Sequence, residues 1–182
     1  MMLSDDIDLI QVNTANCFKV ELGTSLGNEI NIEAEIEGEY VKDLDLKVRT
    51  IGSTILVEAG FAPNFENPND KLSAHKVVSI ILKLSIPLYR NVEIYGTNSR
   101  VEVNGKFNKL TVTLSDGICE LNNIKGNATV RTQSGAIKVF AKAAIIKAKS
   151  KYGNVELNTI PKGISQYDLQ TVTGDIELSK TE

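Results

Sequence analysis

Apolar and polar residues alternate in short runs along the second half of the chain, and the runs recur at a fixed interval. Four segments set a glycine just ahead of an alternating strand: Asp116-Gly117-Ile118-Cys119-Glu120-Leu121, Ser134-Gly135-Ala136-Ile137-Lys138-Val139, Tyr152-Gly153-Asn154-Val155-Glu156-Leu157 and Thr173-Gly174-Asp175-Ile176-Glu177-Leu178. A fifth, Ser99-Arg100-Val101-Glu102-Val103, lacks the glycine. The last apolar residues fall at 103, 121, 139, 157 and 178, so the steps are 18, 18, 18 and 21. A fixed period of this size is the mark of stacked repeats. The longer final step coincides with Thr159-Ile160-Pro161-Lys162-Gly163, an insertion that a solenoid can expel at a corner.

Stacked coils set like residues on like faces at the spacing of neighbouring strands. One column holds Val101, Cys119, Ile137, Val155 and Ile176, and a second holds Val103, Leu121, Val139, Leu157 and Leu178. An earlier strand in each unit supplies Val92, Leu110, Ala128, Ile146 and Tyr167, then Ile94, Val112, Val130, Ala148 and Leu169. The period inside each unit is two residues, which excludes a helix and turns Glu102, Glu120, Lys138, Glu156 and Glu177 to solvent. The expectation is a parallel β-solenoid of about five 18-residue coils over residues 91–182, stacked in chain order so that residues eighteen apart touch. Gly117, Gly135, Gly153 and Gly174 mark turns that need a positive φ or a close approach to the next coil.

Residues 1–90 alternate without that repeat, as in Ile30 to Glu37 and Leu44 to Arg49. They read as antiparallel hairpins, with turns at 23–28, 38–39 and 52–53, a Pro/Asn loop at 62–70 and a long strand from Val77 to Ile86. This half is expected to cap the first coil's open edge, giving one all-β domain of two regions.

Composition narrows the partners. Among 182 residues, 42% are apolar, and 20 Lys plus Arg against 23 Asp plus Glu leave a net charge of −3. This is a soluble globular balance with no basic surplus for nucleic acid, and Trp-free, scattered aromatics offer no base-stacking platform. No apolar run reaches the roughly 18 residues of a membrane-spanning helix. Met1 to Asp6 lacks the features of a secretory leader, so the chain as written is expected in the cytoplasm, and in the cell envelope if a leader has been trimmed.

The hairpin region, the strand closing on Ile86-Pro87 and the serial Thr/Ser-Gly-x-Ile/Val-x-Leu/Val units together resemble a bacterial β-strand-repeat family labelled "putative adhesin", related to the head GIN domain of autotransporter adhesins. Gln133-Ser134-Gly135-Ala136-Ile137 and Thr173-Gly174-Asp175-Ile176-Glu177-Leu178 carry the likeness best. The resemblance implies a right-handed, single-stranded parallel β-helix with an envelope or surface role, and it supplies no catalytic residues. The chain departs from it at Asn98-Ser99, which stand where the first glycine is expected.

Reactive groups are few. His75 is the only histidine, which leaves neither a Ser-His-Asp triad nor a His-rich metal site to be built around it. Cys119 shares a column with aliphatics and is read as core; Cys17 is assigned no role. Glu33, Glu35, Glu37 and Glu39 form an acidic stripe, read as a solvated face balanced by Lys42, Lys47 and Arg49. Glu102 and Glu120 stack, as do Glu156 and Glu177, and Lys138 is expected to relieve the ladder between Glu120 and Glu156. Asp116 and Asp175 do not share a column, and the Asn127-Ala128-Thr129 glycosylation pattern falls on a core position. No catalytic, cofactor or metal residue is assigned.

The expected function is a non-enzymatic structural or interaction protein presenting a repetitive surface to a protein or glycan, with the open solenoid edge available to a second copy. The alternatives are a carbohydrate-active enzyme using acidic residues such as Glu120 and Glu156, or a regulator of envelope stress.

Overall fold

The computed structural model describes residues 1–38, 44–61, 78–157 and 160–182. Among them there is no helix, and fourteen strands form one continuous unclosed sheet. They are β1 (Leu9–Asn13), β2 (Lys19–Ser25), β3 (Asn31–Gly38), β4 (Leu44–Ile51), β5 (Thr54–Phe61), β6 (Val78–Pro87), β7 (Asn91–Gly96), β8 (Arg100–Leu114), β9 (Cys119–Thr132), β10 (Ile137–Ala141), β11 (Ile145–Ser150), β12 (Val155–Leu157), β13 (Gln166–Thr171) and β14 (Ile176–Lys180). Strands β8 and β9 are long enough to bend across a corner and contribute to both faces, with a register shift in their pairing at 104–109.

Two faces result. The first runs β4-β5-β1-β7-β8-β9-β13-β11, and the second runs β3-β6-β2-β8-β9-β10-β14-β12. Between them lies one apolar core, in which Val20, Val57, Ile94, Val101, Leu110, Cys119, Leu121, Ile137, Leu169 and Ile176 have almost no exposed surface. Each such side chain contributes roughly 1.5–3 kcal/mol by leaving water, which is why period-two alternation holds along the straight runs of the inner strands and breaks at the corners of β8 and β9.

The sequence columns are real, and their order at the C-terminal end is not the expected one. Val101 pairs with Cys119 and Cys119 with Ile137, as the 18-residue step requires. Ile137 then pairs with Ile176, and Ile176 with Val155. On the first face Ala128 pairs with Tyr167, and Tyr167 with Ile146. The last coil is therefore inserted between the third and fourth, and Ile137 and Val155 lie on different layers. Burial supplies the reason: Tyr167, Leu169, Ile176 and Leu178 are all buried, whereas Ile146, Ala148, Val155 and Leu157 are half-buried or exposed. The bulkier coil takes the inner layer. The outer layer carries Lys147 and Lys149 on its unpaired edge, a placement that discourages strand addition.

Reading residues 1–90 as antiparallel hairpins holds for β4 and β5, joined at Gly52 with φ +59°; β3 and β6 are antiparallel as well, but β4 and β5 intervene between them in the chain and they form no hairpin. It fails for β1 and β2. Strand β1 lies parallel to β5 and β7, and β2 parallel to β6 and β8, so Ile10 and Val12 stack on Val92 and Ile94, and Val20 and Leu22 on Val101 and Val103. Parallel stacking thus reaches well into the first half, giving more layers than five, and only the outermost layer of β3 and β4 runs antiparallel.

The turn glycines owe their identity to close approach, since none of the four has a positive φ. A Cβ on Gly135 would lie 1.8 Å from the Gly117 carbonyl oxygen, and one on Gly153 would lie 2.1 Å from that of Gly174. Their stacking repeats the exchanged order. Where the first glycine is missing, buried Ser99 places its hydroxyl 2.8 Å from the Thr14 carbonyl and 2.6 Å from that of Cys17, tying the repeats to the β1–β2 turn.

Candidate functional site

With the interior filled by hydrocarbon, chemistry is confined to the outward rows, the corners and the ends. On the second face the outward row is a ladder of charge. Lys19 bridges Glu21 at 2.6 Å and Glu102 at 2.8 Å, and Arg100 bridges Glu102 at 2.6 Å and Glu120 at 3.2 Å. Burial alone would raise the Glu102 carboxyl, but the hydrogen bonds from Lys19 and Arg100 prevail and hold it below the usual carboxylate range. The same contacts raise Lys19 and Arg100.

Lys138 lies between Glu120 and Glu177, not between Glu120 and Glu156, and its ion pair is with Glu177 at 3.1 Å. This correction follows from the exchanged layers. It also bears on catalysis. Glu120 and Glu156 are three strand spacings apart, roughly 14 Å, well beyond the ~9.5 Å limit for paired glycosidase carboxylates. Glu156 and Glu177 are in-register neighbours and line a cavity of about 270 Å³ with Leu157, Leu178 and Ser179.

The acidic stripe is placed outward on β3 at Glu33, Glu35 and Glu37, and Glu35 is paired with Lys83 of the adjacent β6. The balancing charge expected from Arg49 goes instead to Glu58. Glu39, Lys42 and His75 lie outside the described residues. Asp116 and Asp175 serve turns, the first accepting from the Ser134 hydroxyl and the second from the Asn154 backbone N–H at 2.7 Å. Among the described residues no group of three or more His, Cys, Asp or Glu side chains is arranged to hold a metal ion.

Both thiols are core. Burial pushes Cys17 up to about 11 and Cys119 further still, so neither is a thiolate at neutral pH.

The first face differs. Its outward rows from β7 to β13 are dominated by uncharged hydrogen-bonding groups, among them Tyr95, Thr111, Thr113, Asn127, Thr129 and Gln166. The Thr111, Thr113 and Thr129 hydroxyls make no hydrogen bond to another described residue. These rows also carry Glu93, Lys109 and the Arg131–Asp168 pair at 2.7 Å, and the hydrogen bond from Arg131 holds the Asp168 carboxyl below its usual range. Sequence reasoning followed the acidic ladder and missed this surface, although Thr111-Val112-Thr113 and Thr129 were legible as outward positions beside core columns.

One corner is concave. The turns at 123–126, 141–143 and 163–165 enclose a groove of about 770 Å³. No spacing in the sequence announces it, because the exchanged layers bring its walls together. Among the described residues no helix is long and apolar enough to cross a membrane.

Comparison with known proteins bears on the fold. A crystal structure of a putative cell adhesion protein from Clostridium sporogenes is 15% identical and superposes with a TM-score of 0.57, covering 100% of this chain and 97% of its own. A putative adhesin from Bacteroides fragilis is 11% identical with a TM-score of 0.37, covering 98% and 94%. No curated protein matches. Residues 78–182, more than half of the chain, match the toastrack DUF4097 family, and with its unclosed all-β stack the protein belongs to that family of unknown function.

Proposed function

We propose that the protein is a non-enzymatic interaction module that presents the outward rows of its first face to a protein or glycan partner. The observation that carries this reading is the patch of side-chain hydroxyls and amides at Thr111, Thr113, Asn127, Thr129 and Gln166, none hydrogen-bonded to another described residue, in which Thr111 and Thr129 stand one strand spacing apart. Such a patch of exposed donors and acceptors complements the hydroxyls of a polysaccharide or the backbone of an extended peptide. On the second face the central charges from Lys19 to Glu120, and Lys138 with Glu177, are engaged with one another. The description of the Clostridium sporogenes protein as a cell adhesion protein agrees with this reading.

Binding to an array of bacterial and host glycans and to extracellular-matrix proteins tests it. Saturable binding to at least one, lost in Thr111→Lys and Thr129→Lys at unchanged melting temperature, is the expected result. Binding that the two variants leave intact, or no binding at all, rejects the first face as the site. The adjacent Glu156 and Glu177 carboxylates favour a second reading, a carbohydrate-active enzyme at the C-terminal end. Polysaccharide turnover abolished by Glu156→Gln would establish it.

A further inference from the structure

We infer that the corner groove formed by the 123–126, 141–143 and 163–165 turns is a binding site for a small single-chain amphipathic carboxylate, independent of the first-face surface. The groove exists because the chain leaves β10 for the outermost layer and returns through residues 160–165 to the layer beneath. The returning segment packs closely on the outermost layer, where a Cβ on Gly163 would lie 2.6 Å from the Ala143 carbonyl oxygen, and the groove opens beside it. Its floor is apolar and fixed: Ile124, Ala141 and Tyr167 are buried, and the Tyr167 hydroxyl is hydrogen-bonded to the Ile124 carbonyl. Ala143 and Ile164 form the walls, and the Ile164 side chain is 98% exposed on the lip, apolar surface that a ligand's hydrocarbon would cover.

The walls are held by separate bonds. The Gly126 N–H donates to the Ser165 hydroxyl at 3.3 Å, the Ile145 N–H to the Ser165 carbonyl at 2.8 Å, and the Thr181 hydroxyl to the Asn123 side-chain oxygen at 2.8 Å. Preorganisation of this kind lowers the cost of binding. A concavity of about 770 Å³ with mainly apolar walls and a few polar groups is of the size that small ligands occupy.

Charge selects the ligand class. Lys125 and Lys142 line the groove, and no aspartate or glutamate does. In a protein of net charge −3, a concavity with two cations and no anion favours a negatively charged headgroup. Hydrocarbon against Ile124, Ala141, Ala143 and Ile164, with a carboxylate at the lysines, satisfies both features together.

Titration calorimetry with decanoate below its micelle concentration tests the assignment, with decyltrimethylammonium and acetate as controls. Wild-type protein is expected to bind one decanoate saturably, more weakly as salt rises, and to bind neither control comparably. Lys125→Glu/Lys142→Glu should weaken decanoate by roughly tenfold or more and favour the ammonium surfactant. Ile164→Asp, at a 98% exposed position where the melting temperature should stay unchanged, should weaken decanoate similarly. Equal binding of both surfactants, absence of saturable decanoate binding, or affinity unchanged in Ile164→Asp overturns the proposal. None of these results bears on Thr111 or Thr129.

Discussion

The two coils at the C-terminal end of the stack carry the same pattern and have different surroundings. The coil of β13 and β14 is hydrogen-bonded on both sides and has its core columns buried, whereas that of β11 and β12 has one neighbour and half-exposed columns. Alternation therefore specifies which way a residue points, and stacking position decides how much that orientation contributes to stability. The same contrast separates every inner layer from the outermost ones.

A cross-linking experiment gives an all-or-none answer. Lys138→Cys/Glu177→Cys places two thiols on in-register neighbours and should form a disulfide on oxidation, while Lys138→Cys/Glu156→Cys, two strands apart, should not. The reverse outcome would restore chain-order stacking. Next in size, Cys119→Asp buries a charge among aliphatics and should cost about 4 kcal/mol, whereas Leu157→Asp, at a side chain 75% exposed, should cost less than about 0.5 kcal/mol. Denaturant titration of both variants measures the contrast. Ile176→Ala should cost about 3 kcal/mol and Val155→Ala about 1 kcal/mol, because only the former opens a cavity between two layers. Equal losses would show that the end layer is as well covered as the interior.

Glycine replacements sharpen the comparison further. Gly174→Val meets the Gly135 carbonyl and should cost about 3 kcal/mol; Gly153→Val meets that of Gly174 from the outermost layer, which can shift outward, and should cost less. Asn154→Val should cost least of the three. The smallest effect is in the pH dependence. Asp168 and Glu102 are held below their unfolded values, so their contribution is present above the ordinary carboxylate range and is lost as the pH falls through the folded values. Lys19 is raised, so its contribution is present below its ordinary range and is lost as the pH climbs through the folded value. Asp168→Asn should flatten only the acid limb of a melting-temperature profile, and Lys19→Met chiefly the alkaline limb.

Membership of the four repeat columns between residues 92 and 178 was legible in the sequence, because burial enforces alternation along each straight run and the 18-residue step aligns Val101, Cys119 and Ile137. The order of the last two coils was not, since Val155 and Ile176 are interchangeable as aliphatics at one register. A weaker signal for the first-half coils was present: first-face and second-face columns are nine residues apart in all five repeats, as from Val92 to Val101, and ten apart from Ile10 to Val20. Strand β6 offered no such clue, because residues 62–77 separate it from β5. The candidate surfaces were half legible. Outward threonines could be assigned to a face, but the groove depends on three turns that only the exchanged layers bring together.

The inserted final coil also constrains how the chain can be made. Residues 145–157 and 166–180 share one register, so both fit the edge of β9 and β10. The finished arrangement requires the later segment to take that edge in competition with the earlier one, which lies a layer further out. A chain ending near residue 163 would lack the inner coil that separates them, leaving residues 145–157 to settle directly on β9 and β10 as a shorter stack in simple serial order.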